Sequence, residues 1–169
     1  MSNIIIKNIL RFIVLVMLQV LVFNNIHFFD FMTPYIYLLF ILMLPFETPK
    51  WLLLLTGFFT GLTVDIFSNT IGLHAIACTF MAYIRPWTTT IISAKQEYEP
   101  GMQPGIKNLG FRWFLSYTLL LTASHHFILF YLEIFKVSNF FLTFYRASLN
   151  IVFTTLFIVL IQYIFTKTK

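Results

Sequence analysis

The residues of this chain that could do chemistry are few, and many of them lie between Gly57 and Pro86. Asp65 is the single carboxylate of that stretch, and it follows Gly57 and Gly61 at intervals of four residues. On a helix this spacing places all three on one face. Glycines four residues apart let a second helix approach closely, and a carboxylate in hydrocarbon costs about 3 kcal/mol unless it has a partner. We therefore expect this face to contact protein and not lipid.

Catalytic constellations are not found around these residues. None of Ser116, Ser124 and Ser148 lies in a G-x-S-x-G-like turn, and phosphate-binding motifs of the Walker type are absent. An aspartyl intramembrane protease needs two intramembrane aspartates, whereas only Asp65 qualifies. The adjacent His125 and His126 point about 100° apart on a helix, so at most one of them should face a given partner. We expect no catalytic residue, no metal site and no cofactor.

Composition defines the class of protein. Of 169 residues, 59% are hydrophobic and 10% are charged, where a soluble domain carries about 25% charged residues. The sequence therefore predicts an all-α integral membrane protein with a single transmembrane domain over residues 1–169. We attribute the net charge of +5 to orientation in the membrane and not to nucleic-acid binding. Cys78 alone cannot form an internal disulfide, and we expect it to be a packing residue.

The apolar stretches predict a compact bundle of six transmembrane helices. Their approximate bounds are 9–25, 31–46, 51–67, 71–92, 112–132 and 141–165, with a cytoplasmic loop over 93–111. The first is interpreted as a retained span, because no small-x-small cleavage site follows it. The second contains about 13 apolar residues from Pro34 to Phe46, which is short of the ~20 needed to cross. It crosses only if residues 28–33 join the helix or the bilayer thins locally.

Basic residues near the span ends predict the orientation. With six spans and the N-terminus inside, the cytoplasmic side carries eight of them and the outer side two. The eight are Lys7, Arg11, Lys50, Lys95, Lys107, Arg112, Lys167 and Lys169, and the two are Lys136 and Arg146. A five-span topology loses this bias, so we expect six spans with both termini in the cytoplasm.

In this topology several polar residues could share a layer in the outer half of the bundle. They are Asp65, His74, His125, His126 and Arg146. One interpretation is a polar site, open to the outside, that binds a small ligand or a cation. The other, which we favour, is that Asp65 pairs with Arg146 or a histidine to lock the bundle, or reaches interfacial water. Arg85, near the inner end of its span, either binds the carbonyl freed by Pro86 near position 82 or snorkels to the inner headgroups.

The two helices around Asp65 also carry a family resemblance. The pattern is Gly57-Phe58-Phe59-x-Gly61-Leu62-x-x-Asp65, a turn with Gly72, and a helix running from His74-Ala75 to Ala82-Tyr83-x-Arg85-Pro86. In this pattern, in length and in membrane content, the chain resembles the rod shape-determining protein MreD family of the bacterial cytoplasmic membrane.

The resemblance implies a non-enzymatic scaffold of the cell-elongation complex. Its implied partners are an MreC-like bitopic protein, a RodA-type glycosyltransferase, a class B penicillin-binding protein and MreB filaments. Candidates for helix packing, or for the surface that receives a partner's span, are then Gly57, Gly61, Gly72 and Ala82. The alternative is a small-solute (vitamin-like) binding or transport subunit with a pocket in the outer half of the bundle. Fold alone does not separate the two, but a roomy outer pocket with several donors would favour the second.

Overall fold

The computed structural model describes residues 2–26, 32–93, 98–99, 101–134 and 140–167. These parts of the chain are helical and contain no strand. The helices are α1 (Ser2–Leu21), α2 (Leu38–Leu42), α3 (Lys50–Ser68), α4 (Leu73–Ile92), α5 (Ile106–Leu109), α6 (Phe111–Ile134) and α7 (Phe140–Lys167), and a 3₁₀ turn over Phe23–Asn25 follows α1.

Among the described residues, four stretches are helical, long and apolar enough to cross a membrane. They are Ile5–Asn25, Lys50–Ser68, Phe111–Ile134 and Phe140–Phe165, with mean hydropathies between 1.3 and 2.2. At 20 residues α4 has a similar length, but it carries Arg85, Pro86 and three consecutive threonines. It packs between α3 and α6, where lipid contact is limited. The prediction of an all-α fold is confirmed for the described residues, and the four apolar helices support a membrane protein.

A tight turn joins α3 to α4 and makes them antiparallel. Asn69 ends α3 in the left-handed conformation, with φ of 53°, and its N–H donates to the Asp65 carbonyl. Gly72 precedes α4 with φ of 74°, a conformation that glycine adopts without penalty. No atom lies within 4 Å of a Cβ built on Gly72, so this glycine serves the turn and not a packed interface.

The face of α3 with Gly57 and Gly61 packs against α4 of the same chain. A Cβ on Gly57 would lie 2.9 Å from the Ala82 Cβ, and one on Gly61 would collide with the backbone of His74. The expectation that this face contacts protein is therefore confirmed. Gly57, Gly61 and Ala82 are thus helix-packing positions between α3 and α4, and α4 occupies the face that another protein's span would need.

The predicted second span is largely not a helix. Between residues 32 and 46 the helical hydrogen bonding extends only over Leu38–Leu42, and residues 27–31 lie outside the described part of the chain. Nevertheless residues 36–42 are all at most 7% exposed, so they belong to the centre of the core. We refer to residues 32–46 as the buried segment.

The buried segment passes lengthwise through the bundle. Near its start it bonds Asn150 of α7, and near its end the Met43 sulfur contacts Gln162 of α7, twelve residues further on. Twelve residues of helix rise about 18 Å. The segment therefore runs parallel to α7, and an irregular backbone lies at the depth where helices normally cross. Such a backbone is tolerated in a membrane where protein surrounds it.

Candidate functional site

The buried segment lacks the backbone hydrogen bonds of a continuous helix. Side chains of the surrounding helices supply hydrogen-bond partners instead. Three of its first backbone N–H groups donate to side-chain oxygens: Thr33 to Asn150 Oδ1 (3.0 Å), Tyr35 to Thr154 Oγ1 (3.1 Å) and Ile36 to Gln19 Oε1 (2.8 Å). Because an unpaired buried N–H costs about 1–3 kcal/mol, these three acceptors are needed for the segment to lie here at all. Gln19, Asn150 and Thr154 are each at most 1% exposed.

At the other end of the segment, Arg85 and Tyr117 donate hydrogen bonds to its carbonyl groups. Arg85 Nη2 donates to the Leu44 carbonyl and its Nε donates to the Tyr117 hydroxyl at 2.6 Å, while that hydroxyl donates to the Leu42 carbonyl at 3.0 Å. The Arg85 guanidinium also lies 6.0 Å from the centre of the Phe46 ring. We call Arg85 and Tyr117, with the two carbonyls, the arginine cluster.

The arginine cluster corrects one expectation about Arg85. The side chain is 3% exposed, so it does not snorkel to the headgroups. It does bind a carbonyl group, but that carbonyl belongs to the buried segment and not to position 82. The reason is that the broken segment offers acceptors in the interior of the protein, which a continuous second helix would not have done.

Near the start of the buried segment, two tyrosines lie among three histidines. The Tyr37 hydroxyl is 2.8 Å from His74 Nδ1 and 3.0 Å from His125 Nε2. Because one hydroxyl has one proton, it donates to one imidazole and accepts an N–H from the other. His125 is fully buried and its Nδ1 has no hydrogen-bond partner among the described residues. We call Tyr35, Tyr37, His74, His125 and His126 the histidine cluster.

The contacts of His126 fix its neutral tautomer. Its Nδ1 is 2.8 Å from the Thr122 carbonyl, which can only accept, so Nδ1 carries the proton. Its Nε2 then accepts from the Thr154 hydroxyl at 3.1 Å, and Thr154 Oγ1 in turn accepts the Tyr35 N–H. His126 thereby holds Thr154 in the orientation that the buried segment requires.

Both adjacent histidines face the same partner, contrary to the expectation from their positions on α6. The ring centres of His125 and His126 lie 6.1 and 5.2 Å from that of Tyr35. Adjacent side chains on a helix diverge. They can still contact the same partner if that partner is close to the helix and wide enough to reach both. Tyr35 belongs to the buried segment and not to a helix, and its ring contacts both imidazoles.

Asp65 completes the turn into α4. Its carboxylate accepts the backbone N–H groups of His74 at 3.1 Å and Ala75 at 2.8 Å, and also the Thr70 hydroxyl. It is 2% exposed. Asp65 is therefore an N-terminal cap supplied to α4 by the neighbouring helix. The expected pairing with Arg146 is wrong: the three groups that bond the carboxylate all come from the turn and α4, and Arg146 is exposed on α7.

A cavity of about 470 Å³ opens beside the histidine cluster, at the end of the bundle where α3 ends and α4 begins. The described residues that line it are Val20, Asn24, Asn25, Thr33, Tyr35, Phe67, Ser68, Thr70, Leu73, His74, Leu129 and Glu133. Ligand pockets in proteins usually have volumes of about 300–1,000 Å³ and combine apolar walls with a few polar groups. The described walls of this cavity have that composition.

Sequence reasoning missed Gln19, Tyr35, Tyr37 and Tyr117 as parts of the polar interior. Two signals were present. The apolar stretch over residues 34–46 was too short for a helical span, and the two tyrosines near its start, two residues apart, share one side of an extended chain but fall on nearly opposite sides of a helix. Together they indicated an irregular segment.

Comparison of the chain with protein-family models, with curated proteins and with solved structures finds no match. The class of the protein therefore follows from its fold and its polar interior alone. The chain is a helical membrane protein in which a broken apolar segment passes through the bundle and is held by side chains of the surrounding helices.

Proposed function

We propose that the chain is a non-enzymatic scaffold of the bacterial cell-elongation complex, in the manner of the MreD family. The observation that carries the proposal is the use of the polar interior. Asp65 caps α4, Arg85 binds a carbonyl of the buried segment, and His126 orients Thr154. Each of these groups maintains the fold, which supports a role in holding partners and not in a reaction. The cavity of about 470 Å³ beside the histidine cluster is the observation that favours the alternative, a small-solute binding subunit.

The proposed topology has six passes with both termini in the cytoplasm of a bacterial inner membrane. Support comes from contacts of the buried segment at the levels of His74 and Arg85, which lie at opposite ends of α4. The segment then counts as the second pass, although it is irregular. On this proposal the exposed Lys50 and Arg112 meet anionic lipid on the cytoplasmic side.

The proposed contact with a partner lies outside the glycine face. An apolar groove of about 440 Å³ runs along the outer side of α3 and α4, lined by Leu54, Phe58, Ile76, Thr79, Phe80 and Tyr83. Phe80 and Tyr83 are 39% and 53% exposed. On the scaffold proposal this groove receives the single span of an MreC-like bitopic protein, and RodA-type glycosyltransferase, class B penicillin-binding protein and MreB filaments join directly or through it.

Co-purification in mild detergent tests the proposal. We expect the full chain to retain a bitopic membrane partner, and the double variant Phe80→Ala/Tyr83→Ala to lose most of it. The matched control is Phe141→Ala, because Phe141 is also an exposed aromatic, at 85%, but lies on α7. In the rod-shaped host, depletion of the chain should produce round cells. Cells that keep their rod shape and normal lateral wall synthesis would contradict the scaffold proposal.

A further inference from the structure

Beyond the scaffold role, we propose that the cavity beside the histidine cluster binds a small organic cation: a protonated amine attached to an apolar group. The cavity holds about 470 Å³, which is large enough for a ligand of two fused rings. The amine belongs either to a free solute or to the headgroup of a lipid such as phosphatidylethanolamine, and the two sources share the same recognition chemistry.

The charge of the described walls selects a cation. Glu133, at the end of α6, is the one charged side chain that lines the cavity among the described residues, and it forms no hydrogen bond or ion pair with any of them. Asp65 lies behind the wall, where its carboxylate already accepts three hydrogen bonds. No lysine or arginine of the described chain lines the cavity to compete for Glu133.

The remaining walls fit the apolar part of such a ligand. Val20, Phe67, Leu73 and Leu129 provide apolar surface, and Tyr35 presents an aromatic ring, which favours a nearby cation by about 0.5–2 kcal/mol. At the inner side of the cavity, His74 Nε2 has no hydrogen-bond partner among the described residues, while Nδ1 is held by Tyr37. A ligand that bonds Nε2 is therefore coupled through Tyr37 to His125.

Three indole compounds with the same ring and different charges test the proposal. They are tryptamine (a cation), tryptophol (neutral) and indole-3-acetate (an anion), titrated calorimetrically into the full-length protein in phosphatidylglycerol nanodiscs. We expect tryptamine to bind about threefold to fivefold more tightly than tryptophol, since an exposed charge pair contributes up to about 1 kcal/mol. Indole-3-acetate should bind most weakly. Equal affinities for the three compounds, or no binding of any, would overturn the proposal.

Two variants test whether the preference for tryptamine arises from Glu133 in the cavity. Glu133→Gln keeps the shape of an exposed side chain, so the protein should remain folded, and the preference for tryptamine should disappear. Glu47→Gln is the matched control, because Glu47 is also exposed but lies in the turn before α3, away from the cavity. If Glu133→Gln keeps the wild-type preference, or Glu47→Gln loses it, the site is not at Glu133 and the assignment is wrong.

A second nanodisc separates the two sources of the amine. Adding phosphatidylethanolamine should weaken tryptamine binding at least threefold if the lipid headgroup occupies the cavity, and should leave it unchanged if the natural ligand is a free solute. Both results retain the organic cation as the ligand class. Neither depends on the scaffold proposal, which the co-purification experiment tests at the opposite face of α4.

Discussion

The arginine cluster and the histidine cluster both hold the buried segment, but they differ in what they leave accessible. In the arginine cluster a buried guanidinium and a hydroxyl serve two carbonyls, and Tyr117 is fully buried. In the histidine cluster His74 and Tyr35 also line an open cavity, and His125 Nδ1 has no described partner. The first region is closed on itself, whereas the second can still accept a hydrogen-bonding ligand.

This difference implies that water can compensate for a lost side chain near the cavity but not near Arg85. A buried group that loses its partner costs the full penalty of desolvation, while an accessible group can bond water instead. Substitutions of comparable chemistry should therefore destabilise the protein more at the arginine cluster. Four substitutions test this difference in destabilisation, and they are described from the largest expected effect to the smallest.

The largest effect is expected for Arg85→Met. It keeps the approximate length of the side chain but leaves the Leu44 carbonyl and the Tyr117 hydroxyl without their donor. We expect a loss of about 3 kcal/mol in the free energy of unfolding, measured by denaturant titration in detergent micelles. Arg112→Met is the control, since Arg112 is exposed and should lose under about 0.5 kcal/mol. Equal losses in the two variants would show that Arg85 does not support the buried segment.

Asp65→Ala should cost about 2 kcal/mol. It removes the acceptor of two backbone N–H groups at the start of α4, but Thr70 and His74 also line the cavity, so water can reach this turn. Asp65→Asn keeps one acceptor oxygen and should cost about half as much. The same unfolding titration measures both. An alanine variant less stable than Arg85→Met would contradict the contrast between the two regions.

Tyr37→Phe should cost about 1 kcal/mol, because it removes one hydroxyl from between two imidazole groups without creating a cavity. Tyr83→Phe is the matched control: the same atom is removed from a half-exposed residue on the lipid-facing side of α4, and stability should be unchanged. Thermal unfolding monitored by tryptophan fluorescence compares the two variants. Equal stability of the two variants would show that the Tyr37 hydroxyl does not stabilise the protein and that only the packing of its ring does.

Arg146→Ala should have the smallest effect, under about 0.5 kcal/mol, since its side chain is exposed. This variant tests whether Arg146 is exposed, as in the structure, or pairs with Asp65, as the sequence suggested. If the pair existed, the loss in unfolding free energy would approach that of Asp65→Ala. A double-mutant cycle over both positions should give a coupling energy near zero.

The long helices could be predicted closely from the sequence because each carries its own apolar signal. The predicted spans 51–67 and 112–132 compare with Lys50–Ser68 and Phe111–Ile134 in the structure. The glycine and aspartate face of α3 was also predicted to meet protein, because its residue types are costly in lipid. What could not be predicted was which protein surface it meets, since α4 and a foreign helix would select the same small residues.

The buried segment was not predicted because its hydrogen bonds are remote in sequence. The Thr33 N–H is bonded to Asn150 and the Tyr35 N–H to Thr154, which lie 117 and 119 residues later. Patterns within a window of about 18 residues carry no record of such partners. For the same reason the polar layer was predicted as one network with Arg146. In the structure Asp65 caps α4, and His126 supports through Thr154 a backbone that the sequence presented as the second helical span.

The distance between Thr33 and Asn150, 117 residues apart, has a consequence for biosynthesis. The ribosome delivers residues 32–46 long before α7, and until then two amides of that stretch have no acceptor. A nascent chain arrested before residue 140 should therefore leave this stretch accessible to proteases or quality-control chaperones, while the released, full-length chain protects it. The synthesis of α7 thus decides when this irregular stretch becomes a permanent part of the protein.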